Sequence, residues 1–257
     1  DGVVIEHPLD SWDKLSTWSP PDPAERVCRI RDMMAKAKSE GRHPPGVGLE
    51  HGFLFLRLTY LRGFNNFMLD VAEENPKLYA LRDRVTDYWA QISEAHLAGG
   101  ATHLGGGDDL GLQDRLPISP DAWRRLIKPG YARIFGLAKT YGAKVSLHTD
   151  GYIVDIIPDL IELGIDVLNP QDLVNGLDTL AEIAKGKVHI RLDVDRQNIT
   201  VFGTPEEVDG HIRNCIATLG SADGGLSLIY GAYPGTPVEN IESAVRAMQT
   251  YQDMWAQ

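Results

Sequence analysis

Cysteine is scarce in this chain of 257 residues. The two cysteines, Cys28 and Cys215, lie far apart, which excludes a disulfide framework and a metal cage built from several thiolates. Such sparing use of cysteine is typical of proteins in a reducing compartment, so we expect a cytoplasmic protein.

Positive charge and long apolar runs are lacking as well. The chain has 25 Lys and Arg against 36 Asp and Glu, a formal net charge of −11, which argues against nucleic acid and anionic membranes as partners. Charged residues interrupt every apolar stretch before the ~18 residues of a membrane span. The chain begins at Asp1 rather than Met and shows no secretion signal. We therefore expect a soluble protein, and a processed or truncated chain stays open.

From residue 47 onward, short β-rich runs alternate with longer segments of helical period. The β-rich runs cover residues 47–51, 101–107, 144–148, 166–169, 187–194 and 226–230, and the helical segments cover 76–97, 120–140, 153–163, 177–184, 205–219 and 238–255. The β-rich runs are apolar and bounded by Gly, Pro, Asn or Asp, as buried parallel strands are. Repeated βα units predict a parallel sheet with right-handed crossovers.

Such a sheet is either closed into a barrel or open and doubly wound. No Gly-x-Gly-x-x-Gly follows a strand, and Gly105-Gly106-Gly107 leads into Asp108 and Asp109, whose charges would repel a phosphate. We therefore predict a (β/α)8 TIM barrel. Its expected extent is one domain over residues 1–257.

The N-terminal part of this barrel looks incomplete. Residues 47–257 form the main βα repeats, but six units are visible where a complete barrel has eight. Residues 1–46 supply one edge strand at 3–6, a Pro-rich connector and a helix at 23–38. We expect the first strands to be missing, shortened or supplied by another part of the protein.

Polar side chains follow every predicted strand. They are Glu50 and His51; Asp108, Asp109 and Gln113; His148 and Asp150; Asn169 and Gln171; Asp193, Asp195 and Arg196; Tyr230 and Tyr233. Barrel enzymes carry their chemistry on the rim where the strands end, so we expect these groups to converge. Carboxylates, imidazoles and amides there can exchange protons or donate lone pairs near neutral pH.

His148, Asp150 and Asp109 are the catalytic candidates in this set. His148 and Asp150 lie two residues apart, so in extended chain they face the same side. Asp109 and Asp150 precede turns or helices, so helix capping is the alternative for both. Asp193 or Asp195 could instead pair with a neighbouring arginine.

A metal site is a separate possibility. His148, Asp150 and Glu50 are the candidate ligands, and Asp109 could contribute to a three-ligand zinc site. The chain has no His-x-x-x-His or Cys-x-x-Cys spacing that would fix a ligand pair, and no calcium-loop pattern. The sequence leaves open whether zinc, another divalent metal or no metal is bound.

Several stretches together resemble the uroporphyrinogen decarboxylase superfamily. They are Gly107-Asp108-Asp109-Leu110-Gly111-Leu112-Gln113, Ile118-Ser119-Pro120, His148-Thr149-Asp150-Gly151, Gly164-Ile165-Asp166-Val167-Leu168-Asn169-Pro170, Asp195-Arg196-Gln197, Gly203-Thr204-Pro205-Glu206-Glu207 and Pro237-Val238-Glu239-Asn240-Ile241. The likeness runs from about Leu49 to Trp255. It implies a (β/α)8 barrel with a deep cleft at the strand ends, and a homodimer.

The superfamily contains two chemistries, and this chain departs from both patterns. The decarboxylases resemble one another in an Arg-rich N-terminal segment that grips substrate carboxylates, which this chain lacks. The other branch contains cobalamin-dependent methyltransferases whose zinc-thiol members carry His-x-Cys and a later Cys. At the matching positions this chain has His148, Asp150 and Ala232, so both thiolates are replaced.

The resemblance implies methyl transfer from a small methoxylated or methylamine-type substrate to a corrinoid held on a partner protein. His148 and Asp150 would activate or orient the substrate heteroatom, and Asp109 would position it. The expected substrate-binding residues are Glu50, Gln113, Gln171, Asp195, Tyr230 and Tyr233. The two tyrosines are expected as pocket wall, because an unperturbed phenol titrates near pH 10.

Two other functions stay open at this point. One is decarboxylation of a porphyrinogen-like or smaller acid, with an aspartate stabilising a developing cation. The other is a noncatalytic binding protein that kept the barrel and lost the reaction.

Overall fold

The computed structural model describes residues 5–255, which form an α/β fold of two compact units. The first unit contains the chain up to Leu110, with Leu116–His148 and Leu163–Ile165. The second contains Gly111–Arg115, Thr149–Glu162 and the chain from Asp166 onward. Each unit carries three parallel strands in chain order.

The strands of the first unit bring the carboxyl ends of the second and third strands to the same edge of the sheet. These strands are β1 (Val47–Gly48), β2 (His103–Gly107) and β3 (Lys144–Thr149), of which Thr149 belongs to the second unit. Val47 pairs with Leu104, and Gly107 pairs with His148. Because Gly107 and His148 are level at the carboxyl end, the residues that follow β2 start beside the imidazole of His148.

Helices and a dense aromatic core support these strands. The helices are α1 (Ala24–Ser39), α2 (Phe55–Arg62), α3 (Phe64–Ala72), α4 (Pro76–Ala98), α5 (Pro120–Leu126) and α6 (Lys128–Thr140), with a short 3-10 helix at Trp12–Ser16. Phe53 stacks on Tyr131 at 5.0 Å between ring centroids, and Trp123 and Phe135 flank the same tyrosine. Buried aromatic rings of this size contribute strongly to stability.

The second unit repeats the βα pattern. Its elements are a 3-10 helix (Val154–Ile156), α7 (Ile157–Glu162), β4 (Val167–Pro170), α8 (Asp172–Asn175), α9 (Leu177–Ile183), β5 (His189–Asp193), α10 (Ile199–Phe202), α11 (Pro205–Leu219), β6 (Leu226–Ile229) and α12 (Val238–Tyr251). β4 pairs with β5, and β5 with β6, all in parallel. Val194, Ile212, Ile216 and Ala247 form a core between β5, α11 and α12.

The predicted fold class is confirmed, since all six predicted strands are present and their observed pairings within each unit are parallel. The predicted helix at 23–38 is α1. The predicted edge strand at 3–6 lies partly outside the described residues, and its last two residues, Ile5 and Glu6, are not in a strand. None of the helices in residues 5–255 is long and apolar enough to cross a membrane.

Two helical predictions differ from the structure. The segment 120–140 is two helices, because Pro129 has no N–H to donate and interrupts the helical hydrogen bonds. The guanidinium of Arg82 donates to the carbonyl of Leu126 at 3.0 Å near this break. The sequence pattern does not predict the helices α2 and α3. Gly63, with a φ of +77°, divides this segment into helices of only eight and nine residues, which are too short to show a clear period.

Candidate active site

The first unit brings two histidines and one aspartate together at the carboxyl ends of its strands. His51 Nε2 lies 3.2 Å from Asp109 Oδ1, and the rings of His51 and His148 are 6.2 Å apart between centroids. One ligand atom from each of these three residues lies within 4.8 Å of the other two. We call His51, Asp109 and His148 the His-Asp-His cluster.

Asp108 holds the chain around this cluster in place. Its side chain is fully buried and accepts backbone N–H groups of Leu54, Phe55 and Leu56 at 3.2, 2.6 and 2.9 Å, which are the unpaired donors at the start of α2. The Tyr131 hydroxyl donates to the same carboxylate at 2.9 Å. Burial raises the pKa of Asp108 to about 6, and these hydrogen bonds oppose that rise. The anchor fixes the loop after β1 and therefore His51.

Gly107 leaves the space that the two imidazoles occupy. A Cβ at this position would lie 2.7 Å from Cδ2 of His51 and 3.5 Å from Cδ2 of His148. A side chain there would push His51 away, so the Gly-Asp-Asp sequence at the end of β2 has a steric reason for its glycine.

The donor set of the cluster suits a divalent transition metal. Two imidazole nitrogens and one carboxylate oxygen are the ligand types that catalytic zinc and other divalent ions of similar chemistry accept, with further positions open for substrate. The His51 side chain is 55% exposed and that of Asp109 is 30% exposed, so a ligand can reach them. The residues present therefore fit a metal at this place.

Glu50 lies beside a groove instead of in the cluster. Its carboxylate accepts from Arg26 Nη1 at 3.0 Å and from Arg57 Nη2 at 3.1 Å. Arg26 also lies over the ring of Trp89 at 5.2 Å. The groove has a volume of about 610 Å³ and is lined by Trp18, Tyr88, Trp89, Leu61, Val85 and the polar residues Glu50 and Arg57, with Ser19 to Asp22. Volumes of this order and aromatic walls are typical of small-molecule sites.

In the second unit, Arg196 joins two predicted carboxylates. Its Nη2 donates to both oxygens of Asp150 at 3.0 and 2.9 Å, and its Nη1 donates to Asp193 at 2.6 Å. The ring of Tyr233 lies 5.3 Å from the guanidinium carbon. The pairing of Asp193 with an arginine is thus confirmed, and Asp150 is held by a guanidinium.

Other predicted site residues of this unit hold backbone segments in place through hydrogen bonds. Asp195 is buried and accepts N–H groups from residues 197–200, at the start of α10. Gln171 accepts the N–H of Gly151 at 2.8 Å. Gln113 and Gln171 border a cavity of about 40 Å³ together with Asp195 and Arg196, which is large enough for a water molecule. The pKa of Tyr230 is raised, chiefly by burial.

His51 lies at a predicted strand end, but no sequence pattern marks it as a ligand. No pattern assigns a role to Asp108 or Arg26 either. His51 lies 58 residues from Asp109 in the chain, so no local spacing links them. The available signal was the Gly-Asp-Asp motif, whose first aspartate is the anchor and whose second joins the cluster.

Comparison with known proteins identifies the family. The family model described as uroporphyrinogen decarboxylase (URO-D) matches residues 1–251. The chain therefore belongs to the uroporphyrinogen decarboxylase family, which confirms the resemblance found in the sequence.

Individual relatives are more distant. A stretch of 98 residues, 38% of this chain, is 29% identical to the uroporphyrinogen decarboxylase of Synechococcus sp. (strain CC9605) and spans only 27% of that protein. A methyltransferase from Methanosarcina mazei has a similar structure, with a TM-score of 0.67, 20% identity and coverage of 97% of this chain and 72% of the other. A B12-independent methionine synthase from Shewanella sp. W3-18-1 matches with a TM-score of 0.54, 12% identity and coverage of 89% and 68%. At these identities the structural likeness shows the fold alone.

Proposed function

We propose that this chain is a metal-dependent methyltransferase of the uroporphyrinogen decarboxylase family. It would move a methyl group from a small methoxylated or methylamine-type substrate to a corrinoid held on a partner protein. The observation that carries the proposal is the His-Asp-His cluster, in which three ligand atoms of metal-binding type converge at the end of parallel strands.

The residues of the first unit have distinct tasks in this proposal. When bound, a divalent ion supplies a Lewis acid that stabilises negative charge on the heteroatom losing its methyl group. His51, Asp109 and His148 would hold that ion, and Asp108 keeps the loop that carries His51 in place by accepting three backbone N–H groups. The bond from the methyl carbon to the heteroatom breaks with its electron pair left on the heteroatom, which takes up a proton from water. The methyl group would pass to the corrinoid on the partner protein, which, when bound, would supply the electron pair of the new bond to carbon.

The groove beside Glu50 supports a planar aromatic substrate. Trp18 and Tyr88 offer aromatic surface for stacking. Asp22 and Glu50 on the groove offset Arg57 and the neighbouring Arg26, so these four side chains carry no net charge. A groove without net positive charge does not favour a substrate with many carboxylates. Glu50, which lines the groove, directly precedes His51 of the His-Asp-His cluster in the sequence.

Asp150 enters the proposal as an orienting group. Both its oxygens accept from Arg196, so coordination to a metal would compete with a bidentate ion pair. We therefore assign the metal ligands to His51, Asp109 and His148, in place of the set His148, Asp150 and Glu50. Gln113, Gln171, Asp195, Tyr230 and Tyr233 stay as proposed substrate-binding residues, with Asp195 and Gln171 acting through the backbone that they hold.

Decarboxylation is the second candidate, because the relative from Synechococcus is a uroporphyrinogen decarboxylase. A decarboxylase of this type would release CO2 without a corrinoid. Its substrate acid would have to bind a protein with a formal net charge of −11.

Two assays on the purified, zinc-loaded chain separate these functions. The first follows methyl transfer to cob(I)alamin by the absorbance of the methylated corrinoid, with 4-methoxybenzoate and methylamine as donors. The second measures CO2 release from uroporphyrinogen. We expect methyl transfer that zinc removal abolishes and no CO2 release. CO2 release without methyl transfer would replace the proposal with decarboxylation, and the absence of both would favour a binding protein.

A further inference from the structure

A second group of metal-ligand side chains lies in the second unit, away from every residue used above as a ligand. Asp172 begins α8 directly after β4, and His211 and Cys215 lie on α11. His211 Nε2 is 2.7 Å from Asp172 Oδ2 and 3.6 Å from Cys215 Sγ. One ligand atom from each residue lies within 4.8 Å of the other two.

The arrangement is buried and rigid. The side chain of His211 is 8% exposed, that of Asp172 is 1% exposed, and Cys215 is fully buried. His211 and Cys215 are four residues apart on one helix, which places both side chains on the same face. The capping box of Thr204 and Glu207 fixes the start of that helix.

We propose that Asp172, His211 and Cys215 bind one zinc-type divalent ion at a buried site in the second unit. Sulfur, imidazole nitrogen and carboxylate oxygen form a donor set that zinc accepts, while magnesium and calcium require oxygen ligands. This site is independent of the proposed methyl transfer. It also differs from the His-Asp-His cluster in having a thiolate.

The distances allow this ion with small movements. Ligand atoms around a tetrahedral zinc lie about 3.3–3.8 Å apart, given bond lengths of about 2.0–2.3 Å. The separation of 3.6 Å between His211 Nε2 and Cys215 Sγ already falls in that range. The separation of 2.7 Å between His211 Nε2 and Asp172 Oδ2 would lengthen by about half an ångström to admit the ion.

The proton balance of binding is simple. Burial is the main cause that raises the pKa of the Cys215 thiol, and the negative charge of Asp172 adds to it, so without metal the thiol keeps its proton. Binding releases that one proton to solvent. His211 would bind through Nε2 as a neutral imidazole with its single proton on Nδ1, so the imidazole would release no further proton.

Asp172 has the support that metal-bound carboxylates usually have. Its Oδ2 accepts the N–H of Asp195 at 2.9 Å, and its Oδ1 accepts the N–H of Leu173 at 2.6 Å. Such hydrogen bonds orient a ligand before the metal arrives. Through Asp195 the site is linked to the segment that carries Arg196, so the ion would join α11 to the loop after β5.

Cobalt titration of the metal-free chain tests the proposal. A cobalt(II) ion bound by a thiolate absorbs in the near ultraviolet through sulfur-to-metal charge transfer, which an N and O site cannot produce. We expect this absorption at one equivalent in the wild-type chain and in Cys28→Ser, whose cysteine is exposed. We expect its loss in Cys215→Ala.

Further controls distinguish this site from the His-Asp-His cluster and from a failure of the variant to fold. His148→Ala should keep the thiolate absorption while losing the cluster's ion, so failure of the proposed function leaves this site standing. Zinc should raise the Tm of the wild-type chain by a larger amount than that of Cys215→Ala. A wild-type chain without thiolate absorption overturns the proposal even if Cys215→Ala does not fold, as does unchanged absorption in Cys215→Ala.

Discussion

Adjacent carboxylates at the end of β2 have opposite environments. Asp108 is fully buried and accepts three backbone N–H groups, whereas the side chain of Asp109 is 30% exposed and contacts His51. Burial penalises the charged form of the first, and exposure leaves the second available to a ligand. One residue therefore builds the loop, and the next takes part in the proposed chemistry.

The titration of Asp108 predicts a pH-dependent effect of Asp108→Asn. The pKa of Asp108 is about 6 in the folded chain, above the ordinary value of 3.8, so between these values the folded state holds a proton that the unfolded state has lost. Stability from this group falls as pH rises through that window. The wild-type chain should lose about 2–3 kcal/mol relative to Asp108→Asn between pH 4 and pH 7, as measured by urea unfolding. A stability difference that does not change with pH would refute this account.

The ion pair between Arg196 and Asp193 predicts that substitutions of these two residues have coupled effects on the free energy of unfolding. Arg196→Met leaves Asp193, whose side chain is 4% exposed, without its guanidinium, and should cost about 2–4 kcal/mol in urea unfolding at pH 7. Adding Asp193→Asn removes the buried charge and should recover part of that loss. Additive effects of the two substitutions would show that the ion pair does not stabilise the fold.

The sequence located most of these side chains but not their partners. Every residue of the His-Asp-His cluster stood on the expected rim, because strand ends can be read from local patterns. Glu50 and Asp150 were expected as metal ligands, yet they pair with arginines 24 and 46 residues away. Such pairings depend on the packed structure, which local sequence does not encode.

At the level of elements, the start of α11 is a capping box. The hydroxyl of Thr204 accepts the N–H of Glu207, whose carboxylate accepts the N–H of Thr204 at 2.8 Å. Thr204→Ala should cost about 1 kcal/mol in urea unfolding. Thr218→Ala, near the other end of the same helix, should change stability by less than about 0.5 kcal/mol. Equal effects of the two substitutions would contradict the capping role.

The loop after β3 depends on two glycines in backbone contact. Gly151 has a φ of +83°, and a Cβ there would lie 2.3 Å from the carbonyl carbon of Gly111. Gly151→Ala should cost about 2–4 kcal/mol in thermal or urea unfolding. Gly224 has a φ of +81° and open space around it, so Gly224→Ala should cost only about 1 kcal/mol. A similar loss for both would show that conformation alone, without the close contact, sets the cost.

Elements with clear periodicity were predictable, and short interrupted ones were not. The 23-residue helix α4 begins with Asn75 as N-cap and a proline at its first position, which are strong start signals. Pro129 separates α5 from α6, and Gly63 separates α2 from α3, so a single residue decides in each case whether one helix or two form. The two-residue strand β1 is shorter than its apolar run: Val47 and Gly48 pair with β2 in register, and beyond them single N–H groups, those of Leu49 and Gly52, donate to Gly105 and Gly107.

For the whole molecule, membership of the family and the parallel βα order agree with the sequence reading. The formal net charge of −11 argues against a substrate with many carboxylates, and the groove beside Glu50, where Asp22 and Glu50 offset Arg26 and Arg57, has no positive charge to counter it. The fold does not determine the type of reaction, because one fold can carry several chemistries. It is decided by the side chains of the site.

Methyl transfer by His148→Ala, compared with that by His103→Ala, tests the central claim most directly. His103 begins β2, at the opposite end of that strand from Gly107, and contacts Ser146. With 4-methoxybenzoate or methylamine as donor and cob(I)alamin as acceptor, His103→Ala should keep kcat/KM within a few-fold of the wild-type value. His148→Ala should lose at least about 100-fold, since one ligand of the ion is removed, with an unchanged circular dichroism spectrum. Wild-type methyl transfer that persists in folded His148→Ala would contradict the account.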